Sequence, residues 1–256
     1  MITSRIVGLG RVLTLSAFAV LAIPLPAQAQ DAGDAAVGPP AIDLSGNVAV
    51  VSDYRFRGVS LSAGDPALQG GIKASHASGF YAGAWASNLD AGAAYGDVEL
   101  DLYAGWSGPL REGLNADIGV LYYAYPDGAP GGNVDYWEPY AALSTTLGPV
   151  EARLGAAWAP KQDELGGRSN LYLSTDLAAG IPATPLTLKA HLGYTDGPLA
   201  PAFLAGTADR TGLDWSLGAT SVLHGIEFGL AYVGTEGQAV NGLTDDTIVG
   251  SIGFSF

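Results

Sequence analysis

The chain consists largely of short segments in which apolar and polar side chains alternate. In residues 97–106, DVELDLYAGW, Val98 and Leu102 face one way while Glu99 and Asp101 face the other. The same period of two recurs in several segments along the chain, including LNADIGVLYY, VEARLGAAW and LTLKAHLGY. Because successive side chains of a strand point to opposite faces, this period predicts a β protein with one apolar and one polar face.

Twelve such segments follow one another up to the carboxyl terminus. They lie near residues 46–58, 67–76, 79–88, 97–107, 112–125, 134–147, 149–159, 169–181, 185–196, 212–223, 225–235 and 246–256. After Val37, no stretch of ten or more residues has a helical period. Most segments are about ten residues long, the length of a tilted strand across a bilayer. The sequence therefore predicts an all-β fold with about 12 strands.

The lengths of the connections between the segments distinguish two architectures that share this alternating pattern. A soluble sandwich packs its apolar faces into a core, whereas an outer-membrane barrel turns them toward lipid. Long polar connections such as PDGAPGGN and GTEGQAVNGLTD alternate with short ones such as HAS, LGP and LHG. That regularity predicts a transmembrane antiparallel up-and-down β-barrel with short periplasmic turns and longer external loops. The alternation of apolar and polar side chains would by itself also fit a soluble periplasmic sandwich, which is the alternative.

The amino terminus has the layout of an export signal. Residues 1–29 contain two arginines and no acid, then an apolar run, and end in Ala27-Gln28-Ala29. This arrangement predicts a signal peptide that is cleaved after Ala29, with an uncleaved anchor as the alternative. Residues 30–44 are then expected to be a flexible periplasmic segment and residues 45–256 the barrel, in the outer membrane of a Gram-negative bacterium.

Charge and composition exclude several classes of function. The net charge of −14 becomes −16 after loss of the leader, which argues against a nucleic-acid partner because phosphate binding needs Lys and Arg. Charged residues make up 14%, below the roughly 25% of a soluble domain, so part of the surface is expected to face lipid. The chain has no cysteine and therefore no disulfide.

The last ten residues, TIVGSIGFSF, form an alternating strand that ends on an aromatic ring. In hydrocarbon, an unpaired strand edge leaves backbone groups without hydrogen bonds at a cost of several kcal/mol each. The last strand is therefore expected to pair with the first, with Phe254 and Phe256 at this seam. Aromatic residues near both ends of the segments predict two bands at headgroup depth.

Three stretches within Asn47–Asp90 carry a family resemblance. They are SDYRFRG (residues 52–58), DPALQGG (residues 65–71) and SGFYAGAWAS (residues 78–87). Together they resemble the amino-terminal signature of the TorF-type porins, bacterial outer-membrane proteins formerly described as a conserved hypothetical family. The resemblance continues to Phe256 as strand pattern and length, and implies a porin-like barrel. It brings no established substrate and no catalytic residues, and the divergent loops leave ligand preference open.

An aromatic last residue also resembles the C-terminal signal of outer-membrane proteins. The resemblance implies that Phe254 and Phe256 are read by the barrel-assembly machinery. Outer-membrane lipid is the other partner expected for the barrel.

The polar faces place charged side chains inside the predicted barrel. Nine are acids and five are bases, namely Asp53, Arg55, Arg57, Lys73, Glu99, Asp101, Asp117, Glu138, Glu151, Arg153, Asp176, Lys189, Asp214 and Glu227. An acidic excess inside a pore favours cations, so weak cation selectivity is expected. The alternative is that these charges pair across the lumen and largely fill a small barrel.

Alternate positions also place Asp53, Arg55 and Arg57 on the inner face of the first strand, near its outer end. Three interpretations stay open for them. The first is a constriction, the second a pair of arginines that binds carboxylate or phosphate, and the third a set of partners that neutralise acids on neighbouring strands.

No catalytic or metal-binding pattern stands out. The three histidines are scattered, His191 is alone in its strand, and the sequence has no G-x-S-x-G, H-E-x-x-H or phosphate-binding loop. The leading prediction is a non-enzymatic channel without cofactors for small polar solutes or ions. The alternatives are a closed structural or adhesive barrel whose external loops bind a ligand, and an outer-membrane lipid hydrolase.

Overall fold

The computed structural model describes residues 42–129 and 134–256. The predicted signal peptide, residues 1–29, and residues 30–41 of the predicted flexible segment lie outside these ranges. The first strand already begins at Ile42. The predicted barrel boundary at residue 45 is therefore three residues too late, because the strand continues to pair with its neighbour as far as Ile42 opposite His76.

Twelve antiparallel strands form one closed barrel. They are β1 (Ile42–Val51), β2 (Ala67–His76), β3 (Phe80–Asn88), β4 (Val98–Arg111), β5 (Leu114–Ala124), β6 (Tyr136–Leu147), β7 (Val150–Gln162), β8 (Arg168–Gly180), β9 (Leu186–Asp196), β10 (Thr211–Leu223), β11 (Ile226–Thr235) and β12 (Thr247–Ser255). Each strand pairs with its neighbours in the chain, and β12 pairs with β1. The predicted all-β up-and-down barrel of about 12 strands is confirmed.

Short turns and longer connections alternate around the barrel. The turns after β2, β4, β6, β8 and β10 have two to five residues, whereas the connection after β1 has fifteen. One predicted long connection, PKQDELGGR, is short: β7 continues to Gln162 and β8 begins at Arg168, with a 3₁₀ turn at Asp163–Leu165 between them. A four-residue helix, Pro201–Leu204, lies between β9 and β10. In the described ranges, no helix is long and apolar enough to cross a membrane.

The outside of the barrel is apolar. Large aliphatic side chains that are more than half exposed include Ile118, Leu154, Leu192, Leu217 and Ile248. The neighbouring positions in each strand point inward and are buried or half-buried, as the alternation predicted. A belt of this kind is unstable against water but suits acyl chains, so the closed barrel excludes the soluble sandwich.

Aromatic side chains divide between the two faces. Those on the outward face near the long connections are Tyr122, Trp137, Trp158, Tyr194, Trp215 and Tyr232. Those on the outward face near the short turns include Phe80, Trp106, Phe228 and Phe254. Other aromatics lie near the long connections, where the sequence predicts the outer band, but turn inward and fill the interior, namely Tyr54, Phe56, Trp85, Tyr136 and Tyr172. The prediction was wrong for these because a position near a strand end does not specify which face it is on.

The seam of the barrel lies between the first and last strands. Val48 pairs with Phe254, and the backbones of Gly46 and Phe256 exchange two hydrogen bonds of 2.9 and 3.0 Å. A Cβ on Gly46 would lie 2.6 Å from Cζ of Phe256, so the terminal ring packs directly on this glycine. The predicted pairing of the last strand with the first is confirmed.

Candidate functional site

The connection between β1 and β2, residues 52–66, folds into the outer end of the barrel and is named the inward loop. The prediction that the first strand extends to residue 58 is wrong, because β1 ends at Val51. Arg55–Phe56 and Val59–Ser60 instead form a small hairpin. Its two turn residues, Arg57 and Gly58, have φ of 50° and 79°, the positive values that a two-residue hairpin turn requires.

Asp53 and Arg55 tie the inward loop to the connection between β11 and β12. The guanidinium of Arg55 donates to Asp53 at 2.5 Å and to the backbone oxygens of Leu243 and Asp245 at 3.2 and 3.0 Å. The hydroxyl of Ser60 donates to the second oxygen of Asp53 at 2.6 Å. Asp53 and Arg55 are both buried, so the pair is neutralised locally.

Arg57 reaches across the interior to the opposite wall. Its Nη2 donates to Oε2 of Glu138 on β6 at 2.6 Å, and its guanidinium lies 4.2 Å from the ring centre of Tyr172 on β8. The ring of Phe56 lies 4.8 Å away on its own loop. Of the three interpretations for this segment, pairing with acids fits both arginines, and the loop that carries them narrows the lumen.

Two small cavities flank Arg57. One, of about 30 Å³, is lined by Arg55, His191 and Asp214, among others. The other, of about 50 Å³, is lined by Glu138 and Arg153, among others. Because the Arg57 side chain crosses the interior between these two cavities to reach Glu138, the lumen is narrow at its level.

Three buried acids lie near one another on the inner wall and are named the acidic patch: Glu99 and Asp101 on β4 and Glu138 on β6, of which Glu138 contacts Arg57. They are 1%, 4% and 1% exposed, respectively. Tyrosines surround them, with the Tyr123 hydroxyl donating to Glu138 at 3.4 Å and that of Tyr125 to Glu99 at 3.5 Å. Within the described ranges, Arg57 is the basic side chain that forms an ion pair with the patch, through Glu138.

A second buried network centres on His191, the histidine within β9. Its Nδ1 lies 2.7 Å from Asp176 on β8, and its Nε2 lies 3.0 Å from Asp214 on β10. The Tyr172 hydroxyl is 2.8 Å from the same Nε2. The imidazole thus connects three adjacent strands. The only sequence signal for it is the shared inner face of these positions, which becomes visible once Asp176 is known to pair with His191.

Further charged and hydrogen-bonded pairs lie on the inner wall of the barrel. Lys189 lies 3.8 Å from Glu227, and Arg153 lies 3.8 Å from Asp176. On the other wall, the Tyr81 hydroxyl donates to Asp117 at 2.5 Å, and the ammonium of Lys73 lies 5.8 Å from the Tyr81 ring centre.

All fourteen charges predicted for the interior are buried or half-buried on the inner face or the inward loop. The set includes Glu151, which lies near the short-turn end of β7.

The chemistry of hydrolysis or metal binding finds little support in this arrangement. In the part of the chain that the structure describes, no three His, Asp or Glu side chains are grouped to hold a metal ion. The hydrogen bonds of the His191 ring in the described ranges go to two carboxylates and a phenol. A serine- or cysteine-type hydrolase would need an aliphatic hydroxyl or a thiol in the place of this phenol.

Several solved outer-membrane barrels share this fold. The NanC porin aligns with a TM-score of 0.55 at 13% identity, over 84% of this chain and 99% of that one. The KdgM porin, solved in complex with disordered oligogalacturonate, has a TM-score of 0.53 at 7% identity, over 83% and 97%. An outer membrane channel from Pseudomonas putida F1 has a TM-score of 0.51 at 14% identity, over 89% and 99%. At these identities the likeness shows the fold.

Sequence comparison leads to a family that carries no functional description. The sequence has no match among curated proteins. Residues 35–253, most of the chain, match a family of bacterial proteins of unknown function, Gcw_chp. This protein is therefore a member of the Gcw_chp family, with the barrel fold of outer-membrane porins.

Proposed function

We propose that the protein is a porin-like channel of the outer membrane through which ions and small polar solutes diffuse passively, with a weak preference for cations. One observation carries the proposal: a closed barrel with an apolar exterior encloses an interior that contains fourteen charged side chains from its wall and from the inward loop. A barrel that served only as an anchor would have no need of so many costly buried charges. An interior of this polarity suits water and ions.

The size and charge of the lumen indicate small solutes. Arg57 crosses the interior to Glu138 and Tyr172, which leaves a passage that suits ions better than oligomeric solutes. The interior acids outnumber the bases, and the exposed connections add acids such as Asp97, Asp127 and Glu236. A negative lumen concentrates cations and disfavours polyanions such as the oligogalacturonate bound by the KdgM porin.

The proposal includes the route to the membrane. A leader cleaved after Ala29 would deliver the chain to the periplasm, and the barrel-assembly machinery would insert it into the outer membrane. The apolar belt would then contact lipid, and both barrel termini would lie on the periplasmic side. The narrower resemblance to the TorF-type porins stays a prediction.

Reconstitution of residues 30–256 into planar bilayers tests the channel. We expect discrete conductance steps and, in a KCl gradient, a reversal potential that corresponds to a K⁺-to-Cl⁻ permeability ratio of roughly two to five. A preference for chloride would contradict the selectivity, and a bilayer that stays silent would contradict the channel.

A closed structural or adhesive barrel is the second candidate. The inward loop favours it, because Arg57 and its contacts with Glu138 and Tyr172 fill much of the outer end. A closed barrel would be silent in bilayers as the natural protein and would conduct only after the loop is shortened. The proposed channel conducts in both forms.

The terminal ring provides a test of assembly. Replacing Phe256 by Ala keeps the two backbone hydrogen bonds to Gly46 but removes the ring that packs on this glycine. We expect a lower yield of folded barrel in outer-membrane fractions, measured by heat-modifiable mobility in electrophoresis. The control is Phe80→Ala, which removes an exposed ring of the same band away from the seam. Equal yields for the two variants would show that the ring at the carboxyl terminus has no special role.

A further inference from the structure

We infer that four glycines of the inner wall hold four tyrosine rings flat against it and thereby keep the lumen of the proposed channel open. These glycines are named the glycine seats, and each lies under a tyrosine of the neighbouring strand: Gly83 under Tyr103, Gly105 under Tyr81, Gly119 under Tyr140 and Gly193 under Tyr172. The inference rests on the proposed function and deepens it, because it assigns the width of the lumen to particular residues.

On β3 and β4 the arrangement is reciprocal. Gly83 lies directly opposite Tyr103, and two residues away on the same strands Tyr81 lies directly opposite Gly105. All four positions face the lumen, and paired positions on one face are nearest neighbours in a sheet. A Cβ on Gly105 would lie 2.6 Å from the hydroxyl oxygen of Tyr81, and one on Gly83 would overlap the phenol end of Tyr103. Each ring therefore occupies the space that a side chain on the opposite strand would need.

The third pair, Gly119 and Tyr140, continues this arrangement on β5 and β6. The two residues lie directly opposite each other, and a Cβ on Gly119 would lie 2.5 Å from the Tyr140 hydroxyl oxygen. That oxygen is 2.5 Å from the hydroxyl oxygen of Tyr81, which donates to Asp117. The flat position of these rings therefore lets tyrosines of β3 and β6 contact each other along the wall.

Gly193 on β9 supports Tyr172 of β8. A Cβ on Gly193 would overlap the Tyr172 hydroxyl and Oδ2 of Asp214. From this position the hydroxyl lies 2.8 Å from His191 and 3.2 Å from Asp214, and the ring centre lies 4.2 Å from the guanidinium of Arg57. This seat therefore also fixes the place at which Arg57 crosses the lumen.

The seats matter for the passage because the side chains of a small barrel can fill its interior. A side chain on a strand ordinarily stands away from the sheet, which for an inward tyrosine means into the lumen. Glycine weakens a strand interior and often marks a site of close approach. Tyr140 and Tyr172 both line the cavity next to Arg57. If their rings were raised from the seats, they would enter this space, where the lumen is already narrow.

Single-channel conductance in planar bilayers tests the inference. We expect Gly119→Ala to lower the conductance at least about twofold, because the added methyl group lifts the Tyr140 ring into the lumen. The matched control is Gly250→Ala on the lipid face of β12. Apart from its chain neighbours, no heavy atom of the described residues lies within 4 Å of a Cβ on Gly250, so we expect no change. A folded Gly119→Ala barrel that conducts like the natural protein would overturn the inference.

Removal of the ring separates this effect from strain in the backbone. A Cβ on Gly119 would also lie 2.6 Å from the backbone oxygen of Ala104. The double variant Gly119→Ala/Tyr140→Ala keeps this backbone contact but has no ring to lift, so we expect it to recover at least the natural conductance. If it conducts as poorly as Gly119→Ala, the ring is not the cause and the inference is wrong.

Urea unfolding in lipid vesicles measures the seat without conduction. The natural protein, Gly119→Ala, Tyr140→Ala and the double variant form a cycle in which the backbone contact cancels. We expect Gly119→Ala to lower the urea midpoint at least about twice as much in the presence of Tyr140 as in its absence. Equal shifts in both backgrounds would contradict the seat while the proposed channel stood.

The cycle also separates the inference from the proposed function. If Gly119→Ala does not fold, the seat predicts that the double variant does, and a double variant that also fails to fold would contradict it. A natural protein without conductance steps would contradict the proposed function and, with it, the role of the glycine seats in conduction. The urea midpoints would then still decide whether Gly119 holds the Tyr140 ring.

Discussion

Replacing residues 53–65 by a four-residue turn that contains Asn-Gly is expected to raise the single-channel conductance roughly threefold to tenfold, because it removes the inward loop from the lumen. Val51 lies directly opposite Ala67 in the register of β1 and β2, so a short turn can join the two strands without changing their pairing. Conductance in planar bilayers, measured in symmetrical KCl, gives the result.

The loop replacement widens the lumen without changing the net charge of the chain. The removed segment contains two acids, Asp53 and Asp65, and two bases, Arg55 and Arg57, so the net charge does not change. The control is a similar replacement of residues 202–208 in the external connection between β9 and β10, which are uncharged. An unchanged conductance in the loop variant, with a folded barrel, would show that the inward loop does not restrict the passage.

Substitution of Arg57 by Met is expected to destabilise the barrel by about 3–5 kcal/mol, because it leaves Glu138 buried without its cation. Urea unfolding of the barrel in lipid vesicles at pH 8, followed by tryptophan fluorescence, measures the change.

A double substitution distinguishes the ion pair from simple packing. Arg57→Met with Glu138→Leu removes both charges, so we expect it to recover most of the stability that the single variant loses. Arg168→Met serves as the control, because Arg168 is exposed and its replacement should change the stability little. A double variant that is less stable than Arg57→Met would show that Arg57 and Glu138 do not act as a pair.

The barrel could be predicted because its pattern is local. Alternation along a segment such as Val98–Arg111 reports which side chains share a face, and no information from distant strands is needed. The lengths of the connections then separated a membrane barrel from a sandwich. The inner position of the eleven charged residues that lie on barrel strands followed from the same parity.

The inward loop shows where this reasoning failed. Asp53, Arg55 and Arg57 alternate as they would in a strand, so the sequence analysis extended the first strand through them. The Arg57-Gly58 pair was the local sign of a turn, since Gly readily adopts positive φ and a two-residue hairpin requires it. Alternation is a property that strands and tight hairpins share, and it could not separate the two here.

Which charged side chains contact each other depends on how neighbouring strands are aligned in the barrel wall. His191 meets Asp176 and Asp214 only because three adjacent strands are in one register, which the sequence does not reveal. If any of these strands shifted by a single residue, its member of the network would face the lipid. The network was therefore missed although each of its positions had been assigned to a strand.

The amino-acid sequence by itself determined the strands, their approximate number and the faces that meet lipid and lumen, because these follow from a period of two and from connection length. Only the tertiary structure decided which charges meet inside. Arg57 and Glu138 are 81 residues apart in the chain and come together because closure of the barrel brings the inward loop opposite β6. Contacts across the lumen depend on closure of the barrel and on strand register, and neither of these can be predicted from a short stretch of sequence.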